Sequence, residues 1–233
     1  MQIKLWELKG RDDRRYSLFS WRTRMALVHK GLEFETHPVY MTDKVAIAFS
    51  GGKTVPVIRD GDAVVRDSWK IAEHLEAAHP QAPALFGGPI GHGLTLTFNT
   101  WVDRVLVGAM LPVIVADIHD DCVHPEDQAY VRGSFEKALG RTIEEARAAR
   151  AEAQKRLDRA LEPMQATLKR QPFICGAAPA YADYILFSLF QWARIASADE
   201  TLAADSPLFA WRERLLDLHG GYARQVTAAK PGR

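Results

Sequence analysis

The sequence predicts two domains of different class: an α/β domain over residues 1–80 and an all-helical bundle over residues 90–226. Three observations predict this. Strand and helix signals alternate in the first third of the chain. A segment crowded with helix breakers follows. Beyond it strand signals stop, while apolar residues keep recurring at helical spacing. A chain of 233 residues has room for two modest cores.

Taken in order, Ile3 to Leu8 is a short β-rich run. Leu18, Trp21, Met25 and Val28 recur every three or four residues and predict a helix that stops at Gly31. Phe34 to Val39 reads as a second strand. After an irregular stretch, Val57-Ile58-Arg59 and Ala63-Val64-Val65 flank Asp60-Gly61, the pattern of a hairpin. Ser68, Ile71, Ala72 and Leu75 then share one face of a helix. A strand–crossover–strand start implies a parallel pair, to which the hairpin adds an antiparallel edge. His79-Pro80-Gln81-Ala82-Pro83 and Gly87-Gly88-Pro89 mark a linker over residues 81–89. In the bundle, Phe98, Trp101, Val105 and Ala109 form one stripe, and Pro112 is expected to kink or end that helix. Leu157, Leu161, Met164 and Leu168 form another, disturbed by Pro163. Tyr184 to Ala193 is apolar all round and predicts the buried central helix. The chain is expected to fray after Gln225, with residues 227–233 as a tail.

Composition excludes several functions. The apolar share of 47% and charged share of 25% are those of a soluble globular protein. A formal net charge of +1 offers no field to hold a phosphate backbone, so no nucleic-acid partner is expected. No apolar run is long enough to span a bilayer, and Met1-Gln2-Ile3-Lys4-Leu5 does not start a signal peptide, so no membrane partner is expected. Cys122 and Cys175 are the only cysteines and form no CxxC, which points to free thiols in the cytoplasm. Cys175, near an apolar helix start, is expected as a small core residue. His119-Asp120-Asp121-Cys122-Val123-His124 carries ligand-type side chains at a spacing that matches no defined zinc pattern, so no metal is expected. Ser50-Gly51-Gly52-Lys53 is either an anion-binding nest or a flexible loop.

Three local motifs carry chemistry. In Thr54-Val55-Pro56-Val57, proline stands where a strand begins. A cis Val55-Pro56 bond turns the N–H and C=O of Val55 outward, toward an extended peptide ligand; a trans bond only starts the strand. At Asp67-Ser68, helix-start amides and the Ser68 hydroxyl suit a carboxylate and Asp67 suits an ammonium, although both residues are also preferred helix caps. In Tyr16-Ser17-Leu18-Phe19-Ser20, a hydroxyl at a helix N-terminus can donate to a thiolate that the helix dipole also stabilises, or can serve as a cap.

Together these motifs identify a family. Ser17 followed by Trp21-Arg22-Thr23-Arg24-Met25-Ala26-Leu27 and Lys30-Gly31 resembles the first helix of glutathione S-transferases. Val55-Pro56 and Asp67-Ser68 resemble that family's cis-proline and its acidic-Ser motif for the γ-glutamyl group. Gly176 with Ala182-Asp183-Tyr184 resembles the element that opens its central helix. The resemblance implies a thioredoxin-like glutathione-binding domain joined to an all-α domain that receives a small apolar electrophile. It implies glutathione as co-substrate, with its thiol at Ser17. Val55, Pro56, Asp67 and Ser68 would hold the peptide, and Lys53 or Lys44 its glycyl carboxylate. Tyr16, Phe19, Trp101 and Val105 would line the electrophile pocket, and the protein would be a homodimer. Within the family, Ser17-x-x-x-Trp21-Arg22-Thr23 and Asp67-Ser68-Trp69 look most like the bacterial β-aryl-etherase and fungal etherase-like branch, which implies an aryl ether substrate. Leu18 stands where the family often has proline, which leaves Tyr16 and Ser20 as alternative thiol partners. Ala180 stands where the helical domain's capping box has Ser or Thr. A protein that binds glutathione or apolar ligands without catalysis would use the same motifs.

Overall fold

The computed structural model describes residues 2–229. Four strands, β1 (Ile3–Leu8), β2 (Phe34–Val39), β3 (Val57–Asp60) and β4 (Ala63–Arg66), form one sheet in the order β2-β1-β3-β4. β1 and β2 run parallel, joined through helix α1 (Leu18–His29), and β3 and β4 are the expected antiparallel hairpin. Gly61 makes the hairpin turn at φ 59°, a backbone state that a residue without Cβ adopts at no steric cost. α2 (Ser68–Ala78) then packs back on the sheet. Leu5 and Ile58 are fully buried against Trp21 and Met25 of α1 and Ile71 and Leu75 of α2.

Glu7 lies on the buried side of β1 and is itself wholly buried. Its carboxylate accepts from Arg24 Nε at 2.7 Å and from Arg15 Nη1 at 2.6 Å, and it also pairs with Arg24 Nη2. Arg24 Nη1 in turn donates to the Tyr222 hydroxyl at 2.7 Å. A charge enters a core only with partners, and sequence periodicity does not reveal which partners will meet it.

Between α2 and the next helix, residues 79–88 are held by Glu76, which accepts the Leu85 N–H at 3.0 Å and pairs with Lys30 at 2.9 Å. The helical part comprises α3 (Pro89–Trp101), α4 (Val107–Asp117), α5 (Gln128–Leu139), α6 (Ile143–Ala148), α7 (Arg150–Leu168), α8 (Tyr181–Ala196) and α9 (Pro207–Gly221). α3 passes into α4 through a π-helical turn at Val102–Leu106, and a second such turn follows at Ile118–Cys122. Pro112 neither ends nor breaks α4, and Pro163 lies inside α7 in the same way. Burial of Met110, Val113 and Ile114 beside Pro112 outweighs the one backbone bond that proline removes.

The buried face of this helix is not the expected stripe. Thr95, Asn99, Val102, Leu106 and Met110 are buried, whereas Phe98, Trp101 and Ala109 are only partly covered and Val105 is exposed. Thr95 and Asn99 precede the π turn, so the offset is already present in α3, where Phe98 and Trp101 lie beside the buried face rather than on it.

α8 is the centre of the bundle, with every residue but Arg194 buried. Ala180 offers no cap at its start, as expected. The other half of the box is present: buried Asp183 accepts from the N–H groups of Ile174, Cys175 and Ala180 and from Trp211 Nε1. Arg22 of α1 is fully buried against this bundle and donates to Asn99 Oδ1 at 2.8 Å, Asp103 Oδ1 at 2.7 Å and Ser188 Oγ at 3.3 Å.

Both cysteines are free; Cys122 is buried, but Cys175 is exposed rather than a core residue. The Cys175 N–H is bonded to Asp183 Oδ2 at 3.1 Å, which fixes its backbone and leaves the residue at the surface of the loop before α8. Of the expected tail, Ala229 donates its N–H to the Arg194 carbonyl at 3.3 Å, and residues 230–233 lie outside the described residues. No helix among the described residues is long and apolar enough to cross a membrane.

Candidate active site

Ser17 is the N-cap of α1. Its backbone is extended (φ −73°, ψ 116°) and its Oγ accepts the Ser20 N–H at 3.3 Å. Acceptance uses one lone pair and leaves the hydroxyl proton free to donate outward. Ser17 therefore caps the helix and also faces a cavity of about 370 Å³. Tyr16 and Phe19 flank it on the cavity wall. Ser20 does not line the cavity; its Oγ is buried with no partner among the described residues. Tyr16 is buried, and burial pushes its phenol well above the ordinary range, with Cys122 and Asp127 as the groups whose charge acts on it. It stays a neutral donor at physiological pH. Burial pushes the Cys122 thiol up to about 12, so it is not a ready nucleophile.

The cavity lies between the domains and is lined mainly by apolar groups. The loop after β2 contributes Tyr40, Met41 and Lys44, and the hairpin approach contributes Lys53, Thr54 and Val55. From the helices come Val107 and Leu111 of α4, Tyr130 and Phe135 of α5, and Trp192 of α8. Trp101 and Val105 do not line it, a correction to the sequence expectation. Trp101 is half-buried and Val105 exposed on a different face of the helix from Val107 and Leu111, which form the wall. The residues of α5 were missed, although Val131, Phe135 and Leu139 at four-residue spacing were a signal for that helix.

Val55-Pro56 is a cis peptide bond. Among the described residues, no backbone partner pairs with the N–H or C=O of Val55. Val57 pairs with Arg66 in the hairpin, so Val55-Pro56 and Asp67-Ser68 leave the same end of that ladder side by side. Asp67 adopts φ 75° and caps α2, its Oδ1 accepting the N–H of Trp69 at 3.0 Å and of Lys70 at 3.1 Å. Two of the amides expected to meet a ligand carboxylate are thus engaged within the protein. The Ser68 N–H and hydroxyl and the second Asp67 oxygen remain. Asp67 is exposed, Ser68 is buried, and neither lines the cavity itself. Lys44 and Lys53 do; Lys44 Nζ bonds the Met41 carbonyl and lies 5.4 Å from the Tyr130 ring centre.

The loop Ser50-Gly51-Gly52 closes on itself, with Gly52 N–H donating to Ser50 Oγ at 3.2 Å. The ligand-type side chains at 119–124 are spent on separate contacts: His119 bonds Asp120 at 2.6 Å, Asp120 pairs with Arg147, and His124 packs against Tyr40.

Comparison with known proteins gives consistent matches. The family model "Glutathione S-transferase, N-terminal domain" matches residues 16–78, and "Glutathione S-transferase, C-terminal domain" matches residues 93–222. Glutathione S-transferase Z2 of Arabidopsis thaliana is 36% identical over 69 residues, 28% of this chain and 31% of the relative, so the chain aligns with about a third of that protein's length. The crystal structure of glutathione transferase GSTFuA3 from Phanerochaete chrysosporium superposes with a TM-score of 0.76 at 26% identity, over 96% of this chain and 94% of that one. That of the beta-etherase LigF from Sphingobium sp. strain SYK-6 superposes at 0.68 and 18% identity, over 95% of this chain and 98% of that one.

Proposed function

This chain belongs to the glutathione S-transferase family, and on that premise we propose that it activates the glutathione thiol for attack on an apolar, aromatic electrophile. The observation that carries this reading is Ser17: a hydroxyl with a free proton, at a helix N-terminus, on the wall of an apolar cavity. Glutathione would add as an extended segment to the open Val55 edge, with its γ-glutamyl end at Asp67-Ser68 and its glycyl end at Lys44 or Lys53. The thiolate then attacks the electrophilic carbon, a C–S bond forms, and the leaving group departs with its electron pair. Glutathione is the one co-substrate of this scheme, and no step calls on a metal. Conjugation of a generic aryl halide, run beside calorimetric titration of glutathione, tests it. Glutathione binding without turnover on a broad electrophile panel would assign the protein as a binder instead.

The substrate reading extends to an aryl ether. It rests on the Ser17, Trp21 and Asp67-Ser68-Trp69 motifs and on the aromatic rings around the cavity, which suit flat ring systems. Cleavage transfers the carbon of the ether to sulfur and releases the aryloxide, which takes up a proton. A β-aryl ether assayed beside the aryl halide tests this extension. The free thiols suit the cytoplasm as its location.

Asp67→Asn is expected to keep the cap and tolerate the positive φ, because Asn caps helices and adopts left-handed backbone readily. It removes the charge offered to the γ-glutamyl ammonium. A hydrogen bond between charged groups contributes about 1.5–3 kcal/mol, so KM for glutathione should rise about tenfold or more at constant kcat and unchanged circular dichroism. A change under about threefold removes Asp67 from the site.

A homodimer is also proposed. Ile90 and Leu94 on α3 are 82% and 68% exposed and continue through Phe98, Trp101 and Val105 as an outward apolar stripe, an unusual surface for a monomer. Light scattering should give twice the 26.1 kDa chain mass, and Leu94→Glu should halve it. A wild-type monomer at micromolar concentration excludes the dimer.

A further inference from the structure

Asp127 is the last residue of a short 3-10 turn, Pro125–Asp127, between the second π turn and α5. It is wholly buried, and its contacts cross the domain boundary. Oδ2 accepts the Met41 N–H at 2.8 Å; Oδ1 accepts the Thr42 N–H at 2.9 Å and the Thr42 hydroxyl at 2.6 Å. One carboxylate from the helical domain therefore takes three donors from the loop that follows β2. The same loop is gripped a second time: the Tyr40 ring packs on His124 with centroids 4.3 Å apart, and Lys9 Nζ lies 4.4 Å from the Tyr40 ring centre.

The loop so held is part of the cavity wall. Met41, whose N–H is bound by Asp127, gives its own carbonyl to Lys44 Nζ, and Lys44 faces the cavity. A continuous set of bonds thus runs from Asp127 through Met41 to Lys44. Thr42 is exposed and Met41 only half-buried, so burial alone does little to hold this segment in place. A buried carboxylate bonded by three donors does hold it, because releasing the loop strands a desolvated charge.

We propose that Asp127 is a positioning residue that sets recognition of the glycyl end of glutathione by clamping the 41–44 loop and with it Lys44. The proposal rests on the reading that this cavity edge binds glutathione. It assigns to the helical domain a part in selecting the peptide as well as the electrophile.

The test compares KM for glutathione and for γ-glutamylcysteine, which lacks the glycine, in the full-length protein. Asp127→Asn has the shape of the carboxylate but turns an NH2 toward backbone donors, so it opens the clamp. Wild type is expected to prefer glutathione by about tenfold or more in KM. Asp127→Asn should abolish most of that preference by raising the glutathione KM, with the γ-glutamylcysteine KM and both kcat values within about twofold. Thr42→Val, which deletes one of the three bonds, should shift the same ratio part of the way, and it decides the matter if Asp127→Asn does not fold. A rise of both KM values together, no change in either, or a wild type indifferent to the glycine overturns the proposal. If wild type binds glutathione in calorimetry while the variants keep its preference, the clamp alone is wrong. If wild type binds neither peptide, the glutathione reading falls and takes the clamp with it.

Discussion

Ser17→Ala is expected to move the acid limb of the pH–rate profile up by one to two pH units and to lower kcat by about ten- to a hundredfold near neutral pH. A hydrogen bond to a charged acceptor contributes about 1.5–3 kcal/mol, and one pKa unit corresponds to 1.36 kcal/mol. On the proposed reading, a thiol near 8.5 is brought into the physiological range by that bond together with the dipole of α1, which remains in the variant. The sign follows directly. The partner favours the thiolate and depresses the thiol pKa, so its loss raises the pKa, and the deficit shrinks at high pH, where thiolate forms unaided. The substitution also removes the cap bond to the Ser20 N–H, which costs roughly 0.5–2 kcal/mol of stability. Melting curves separate that loss from the catalytic one. Tyr16→Phe and Ser20→Ala are the controls. Ser20 Oγ lies away from the cavity, so its variant should leave the profile in place. A shift with Tyr16→Phe but not with Ser17→Ala transfers the role to Tyr16. A profile unmoved by all three leaves the thiolate to the backbone and dipole alone.

Glu7→Ala should destabilise the protein by about 3–5 kcal/mol, because removing one partner of a buried ion pair leaves the other uncompensated. The Arg24 guanidinium, nine-tenths buried, is held even more firmly protonated than an ordinary arginine by its bonds to Glu7, against the opposing effect of desolvation, so it cannot escape the penalty by losing its proton. For a chain of this size, about 2–4 °C of melting temperature accompanies each kcal/mol, so a fall of roughly 10 °C is expected by calorimetry. Pairing Glu7→Leu with Arg24→Met removes both charges and should recover much of the loss. A fall under about 2 °C in Glu7→Ala, or a double variant less stable than the single one, contradicts this account. The effect reaches the site as well. Arg15 binds Glu7 through its side chain and Trp21 Nε1 through its carbonyl at 2.7 Å, two residues ahead of Ser17. Glu7 thereby anchors the loop that presents the serine.

Much of this architecture was legible because it is local. The β-rich run of Ile3 to Leu8, the spacing of Leu18, Trp21 and Met25, the Asp60-Gly61 turn and the apolar run from Tyr184 to Ala193 each reflect a propensity, a period or a turn preference that acts within ten residues. The fold class and the four strands follow from them. Ser17 and Asp67 were legible as cap residues by the same logic, since a helix start requires an acceptor and the residue type supplies it.

Other features depend on which segments meet, and no local period records that. Trp101 and Val105 have the right spacing for a pocket wall, but which face of the helix meets the other domain is set by packing, and Val107 and Leu111 form the wall. Asp127 belongs to none of the motifs in the sequence, and only folding brings it against Met41 and Thr42, more than eighty residues away. Glu7 shares its strand face with the buried Ile3 and Leu5, and a charge can sit there only because Arg24 and Arg15 meet it in the fold. By itself the sequence determined the fold class, the four strands and the helices α1 and α2 among them, the central helix of the bundle and the cap residues at the first two helix starts, because hydrophobic periodicity and capping are short-range. Only the tertiary structure decided which side chains line the cavity and which buried charges hold its walls. Those are set by long-range contacts, where desolvation makes each partner indispensable to the other.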